Sequence, residues 1–154
     1  MLEMIVSGVV ATVFLDVWQR ILRAMTGLPT ANWALTGRWF VNAFRGKFMH
    51  SPIAAAPAEP NELAIGWTGH YIVGAAYGFV YVPLMRHVLG IEPSLLNGLV
   101  FGIASTIVPW FFFMPAMGAG VLARNTPKPL VGCLQALGSH TAFGAGLAVG
   151  AMMV

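Results

Sequence analysis

Charge is what this sequence has least of. Lys and Arg number 8, Asp and Glu 5, together 8% of 154 residues, where soluble domains carry about 25%. A water-facing surface cannot be built from so few. One cysteine, Cys133, excludes an intramolecular disulfide and leaves the redox compartment unconstrained. No nucleophile–base motif, phosphate loop or CxxC pair is present, which argues against hydrolase, kinase and thioredoxin chemistry. No residue can be assigned a catalytic role. The net charge of +3 does not point to nucleic acid, because the bases follow the loops instead of forming a stripe. The N-terminus lacks a basic leader, carries Glu3 and Asp16, and has no small-x-small cleavage site before Arg20. It reads as a first spanning helix and not as a cleaved signal.

What is abundant is apolar: 58% of residues are hydrophobic and mean hydropathy is +0.77. Four runs stand out, at about residues 4–24, 65–88, 94–117 and 130–154. Each is long enough to cross roughly 30 Å of hydrocarbon. No ten-residue alternation suggests a barrel, so the runs are helices. The expected fold is all-α: residues 1–154 as a single membrane domain of four transmembrane helices, with a cytoplasmic loop over 25–64.

Orientation follows from the bases. The first and third loops hold Arg20, Arg23, Arg38, Arg45, Lys47, Arg124 and Lys128; the second holds only Arg86. That bias places the first loop in the cytoplasm and both termini outside. Within the first loop, Trp33, Gly37, Phe40, Phe44 and Phe48 recur at helical spacing among polar Asn32, Arg38, Asn42, Arg45 and Lys47. This is the pattern of an amphipathic helix, lying in the membrane interface or packed on the bundle. Pro52, Pro57 and Pro60 then impose an extended lead-in to the second span. Pro109 and Pro115 should bend the third. Arg124-Asn125-Thr126-Pro127-Lys128-Pro129 is a turn suited to anchoring at anionic headgroups.

Small residues recur four apart: Gly74 and Gly78, Gly98 and Gly102, then Gly138, Ala142, Gly146 and Gly150. Such ladders let helix backbones approach closely, and here they favour tight internal packing over a dimer.

The chain is organised around Gly66-Trp67-Thr68-Gly69-His70-Tyr71-Ile72-Val73-Gly74, which carries a histidine into the second span. Ionisable groups at membrane depth point to a functional site by default. At 1.5 Å per residue, His70 lies about 8 Å, Asp16 about 10 Å and His140 about 15 Å from the cytoplasmic face. His50 and Glu62 could cap them from the loop. Four readings follow. Asp16 pairs with Arg20 one turn away and the histidines bond backbone or hydroxyl groups. Asp16, His50, Glu62, His70 and His140 supply a transition-metal site. His70 and His140 bind a cofactor as axial haem ligands. Or the three buried groups form a proton relay or substrate path in a small transporter. A homo-oligomer or a larger membrane complex, with glycine faces as docking surfaces, is the alternative to a ligand site.

A set of motifs extends over nearly the whole chain. It runs from Gly37-Arg38-Trp39 through His50, Ile53, Pro57, Glu62 and Gly66-Trp67-x-x-His70-Tyr71. It continues with Pro115-Ala116-x-Gly118, Arg124-x-Thr126-Pro127 and His140-x-x-Phe143-Gly144-x-Gly146-Leu147. The set resembles a domain-of-unknown-function family of small four-helix bacterial inner-membrane proteins. The resemblance implies that fold and location and brings no activity. Met114 stands where the resemblance leads one to expect glutamine, which weakens the case for an essential polar side chain there.

Overall fold

The computed structural model describes all 154 residues and is all-α, with five helices and no strand. They are α1 (Leu2–Thr26), α2 (Trp33–Phe44), α3 (Glu62–Pro83), α4 (Leu95–Ala116) and α5 (Pro129–Met152). The four apolar runs are thus the four long helices, and the aromatic repeat of the first loop is α2. Two helices, α1 and α4, are long and apolar enough to cross a membrane. For α3 and α5 the expectation from length alone is not met. They have the length, but glycines and the polar His70, Tyr71, Gln135, Ser139 and His140 dilute their apolar content.

Helix ends follow local chemistry. Gly27 closes α1 at φ 71°, a left-handed position that a Cβ would strain, and its N–H bonds the Arg23 carbonyl. Asn32 caps α2 by accepting from the Ala34 and Leu35 amides. Two π-turns interrupt regular winding, and the bend expected at Pro109 is one of them. Residues 84–88 continue past Pro83 as a π-turn. In α4 the regular stretch Leu95–Ser105 gives way to a π-turn over Pro109–Phe113. Pro109 has no N–H to return to Ser105, and the Met114 amide bonds Pro109 five residues back.

The chain packs as two compact units. Unit 1 comprises residues 1–30, 71–105 and 138–154; unit 2 comprises 31–70 and 106–137.

Unit 1 is held by backbone-to-backbone approach. A Cβ on Gly8 would strike the Gly74 carbonyl, and one on Gly78 would strike the Met4 carbonyl. Likewise Gly98 and Gly144 shield no space between them, and Gly102 abuts the His140 carbonyl. On the other side of α5, Gly146 and Gly150 would place a Cβ 2.6 Å from the Cα atoms of Ala11 and Ser7. The glycine ladders therefore serve internal packing, α1 against α3 and α5, α4 against α5. Ser7 reinforces this by donating to the Leu147 carbonyl at 2.8 Å. Tyr81, Val82, Met85, Phe143 and Leu147 fill the centre with Ala11, Leu15 and Ala151.

Large apolar side chains also cover the outside of unit 1. On α1 they stand at Ile5, Val9, Val13, Val17 and Ile21, one per turn. On α4 they stand at Leu96, Val100 and Ile103, and α3 adds Ile72, Phe79 and Val80.

Unit 2 centres on Trp39, Ile53 and Ala116. The Trp39 ring meets Phe112 edge-on and Phe113 at 5.0 Å, and its Nε1–H donates to the Phe48 carbonyl at 2.9 Å. Gly37 lies on the Glu62 carbonyl and Gly66 on the Trp33 carbonyl, which brings α2 into backbone contact with the start of α3. The proline-rich lead-in is an ordered strap: His50 donates its amide to Ala116 at 2.9 Å and Ile53 to Met117 at 3.0 Å.

Candidate functional site

The singled-out groups are best followed from the residues that hold them. Asp16 points inward from α1 and is buried, with 6% exposure. It accepts a hydrogen bond from the Tyr71 hydroxyl at 3.2 Å. A carboxylate in so apolar a setting needs such donors, since burying it unpaired is costly. Tyr71 is the residue after His70, and it rather than His70 lies within unit 1.

His140 projects from α5 toward Ser105, with Nδ1 2.7 Å from the hydroxyl oxygen. The same hydroxyl lies 2.7 Å from the Gly102 carbonyl. Ser105 owns one proton, and the carbonyl can only accept. If that proton goes to Gly102, the ring supplies Nδ1–H to Ser105 and keeps its lone pair on Nε2. Tyr77 and Phe143 flank the imidazole.

His70 stacks on Trp33, with ring centroids 3.8 Å apart and planes 25° from parallel, and Trp67 approaches its edge at 5.9 Å. The histidine that opened the motif is thus part of an aromatic contact between α2 and α3. His50 is buried beneath its strap, with Nε2 3.3 Å from the Lys47 carbonyl. A carbonyl only accepts, so Nε2 carries the proton in that bond.

Glu62 is engaged on both oxygens. Arg38 donates from Nε to Oε2 at 2.8 Å and from Nη2 to Oε1 at 2.9 Å. The Glu59 amide adds a third bond at 3.0 Å. Arg38 also reaches the Ala54 and Ala56 carbonyls through Nη1. The Arg38 guanidinium, followed by the Glu59 amide, holds the Glu62 carboxyl at about 2, well below the usual carboxylate range. The same contact raises the Arg38 pKa.

The expectation that Asp16, His50, Glu62, His70 and His140 make one metal centre finds no support here. No group of three or more His, Cys, Asp and Glu side chains is placed to hold a metal ion. Glu62 in particular is a partner of Arg38. The partners in four contacts that shape the region went unread in the sequence, in Arg38–Glu62, Tyr71–Asp16, Trp33–His70 and Ser105–His140, the last being a histidine–hydroxyl bond of the expected kind. Arg38 and Trp39 stood in a quoted motif, which was the available signal. Ser105 gave none.

Such an arrangement defines a small all-α protein with apolar outer faces and hydrogen-bonded polar groups within. The chain belongs to the family described as "Protein of unknown function (DUF2938)", whose model matches residues 5–154. No curated protein and no solved structure matches it.

Proposed function

We propose that the chain is a multi-pass integral membrane protein of the bacterial inner membrane, with four crossings and both termini outside, serving as a structural accessory component of a membrane assembly. One observation carries the reading: unit 1 turns glycine and small residues inward and Ile, Val, Leu and Phe outward. In water each exposed large side chain forfeits about 1.5–3 kcal/mol of burial; against acyl chains it forfeits nothing.

Charge placement supports the same orientation. Arg86 pairs with Glu3 at 3.0 Å and Glu92 at 3.4 Å, so the start of α1 and the turn after α3 share a neutralised end. Arg20 and Arg23, at the other end of α1, are exposed. Unneutralised cations belong on the cytoplasmic side. The lower hydropathy of α3 and α5 is compatible with spanning because many of their glycines face other helices and His140 is hydrogen-bonded. The polar side chains bind one another or the backbone, which suits a scaffold.

The test is extraction and topology together. The protein should stay in membranes through an alkaline carbonate wash, and a C-terminal periplasmic reporter should be active. Release by carbonate would end the reading. For the accessory role, mild detergent should yield a particle larger than one chain; a stable lone monomer would count against it.

A second reading has its own observation. Asp16 is buried and hydrogen-bonded by Tyr71 within α1, the setting of proton-binding carboxylates in transporters. Proteoliposome flux driven by a pH gradient and abolished in Asp16→Asn would favour it.

A further inference from the structure

We propose that residues 44–49 and 124–128 of unit 2 together form a binding site for anionic phospholipid headgroups. This rests on the membrane reading above and adds a ligand to it. The bases come first. Arg38 is tied to Glu62 and Arg45 to Glu59. Lys47, Arg124 and Lys128 are exposed, and no carboxylate lies within ion-pair distance of them. They leave unit 2 with positive charge that no residue of the unit neutralises.

Apolar tips are interleaved with these bases. Phe44 is 91% exposed, Phe48 53% and Met49 61%, on either side of Lys47. An aqueous phosphate would account for the lysine but not for a phenylalanine held almost wholly free. A phospholipid accounts for both, since headgroup phosphate and acyl chain lie within one side-chain length of each other.

The two segments are built onto a common support. The Trp39 indole pins the Phe48 carbonyl. Beyond it, His50 and Ile53 bond to Ala116 and Met117. Gly118 has no room for a side chain: a Cβ would stand 2.7 Å from Pro52 Cα. From there the second turn closes back, Asn125 donating its amide to Ala119 at 2.8 Å and its side-chain Nδ2 to Gly118 at 3.3 Å. Arg124, packed on Gly120, is thereby carried beside the strap that Lys47 precedes, and Lys128 follows four residues on, just ahead of α5.

The experiment is lipid retention by the full-length protein. The chain is exchanged in mild detergent into equal phosphatidylglycerol and phosphatidylethanolamine, and retained lipid is measured by mass spectrometry. Wild type should enrich phosphatidylglycerol. A Lys47→Gln, Arg124→Gln, Lys128→Gln variant should lose about tenfold of that enrichment, while Lys47→Arg with Lys128→Arg should keep it. Unchanged retention in the triple glutamine variant, at unchanged elution volume and helicity, overturns the proposal. Displacement of the lipid by inorganic phosphate alone also overturns it. A change in oligomer mass without loss of lipid would make the surface a contact between copies and likewise refute it. Carbonate release is read separately: a protein washed from membranes that still enriches phosphatidylglycerol would sink the spanning reading and leave this site standing.

Discussion

Arg38 and Glu62 meet across 24 residues of sequence in a two-pronged ion pair, both carboxylate oxygens facing one guanidinium at 2.8 and 2.9 Å. The pair joins α2 to the first turn of α3, and Arg38 also holds the intervening strap through the Ala54 and Ala56 carbonyls. One arginine thus ties three segments of unit 2, a geometry lysine cannot reproduce.

Glu62→Gln should lower the thermal midpoint by about 5 °C, and Arg38→Lys should do nearly the same despite keeping its charge. The pH dependence has a definite sign. The folded carboxyl sits at about 2 against an ordinary value of 4.5. Its stabilisation is therefore complete above about pH 4.5 and is lost as pH falls toward 2. Thermal melts between pH 5 and 2.5 should show a steeper decline for wild type than for Glu62→Gln. Parallel curves would refute the assignment.

Gly144 faces the Gly98 carbonyl without room for a methyl group. Gly144→Ala should destabilise by about 1–3 kcal/mol through overpacking, and Gly144→Leu should prevent folding. Leu134→Ala, on an outward position with 55% exposure, should change stability by less than about 0.5 kcal/mol. Detergent-resistant melting of the three variants checks the order.

Ser105 and His140 should be energetically coupled. A double-mutant cycle with Ser105→Ala and His140→Ala is expected to give about 0.5–1.5 kcal/mol, near the values found for polar contacts inside membranes. Additive effects would mean that the 2.7 Å contact contributes nothing.

Trp39→Phe keeps the ring among Phe40, Phe112 and Phe113 but removes the bond to the Phe48 carbonyl. A loss of about 1 kcal/mol is expected, with faster hydrogen exchange confined to residues 45–50. Trp39→Ala should cost about 3–5 kcal/mol.

Much of the fold was legible because its signals are local. Apolar runs of helical length gave α1, α3, α4 and α5 to within a few residues at most ends. The aromatic repeat gave α2 and Pro109 marked the π-turn of α4, whereas Pro83, ahead of the other π-turn, was not singled out. Glycine ladders were read for close packing, and Gly8, absent from any ladder, completes the contact with Gly74. What resisted reading is contact at long range. Glu62 next to a span looks like a ligand until Arg38, 24 residues earlier, is known to cover both its oxygens. His70 looks like a buried ionisable group until Trp33 is found stacked on it. The span length of α3 hid how far His70, Tyr71 and its glycines lower its apolar character. The division into two units leaves no mark in the sequence because α3, α4 and α5 each contribute residues to both.

The π-turn at Pro109–Phe113 has a bearing on chain length. Winding five residues where an α-helix winds four amounts to one surplus residue stored in α4. Removing one residue within this turn would let the helix resume ordinary winding without moving Met114 to Ala116 along the axis. Removing one from Leu95–Ser105 would instead rotate all that follows by about 100°. Single-residue gaps among natural variants of this chain are therefore expected to gather between Thr106 and Phe113.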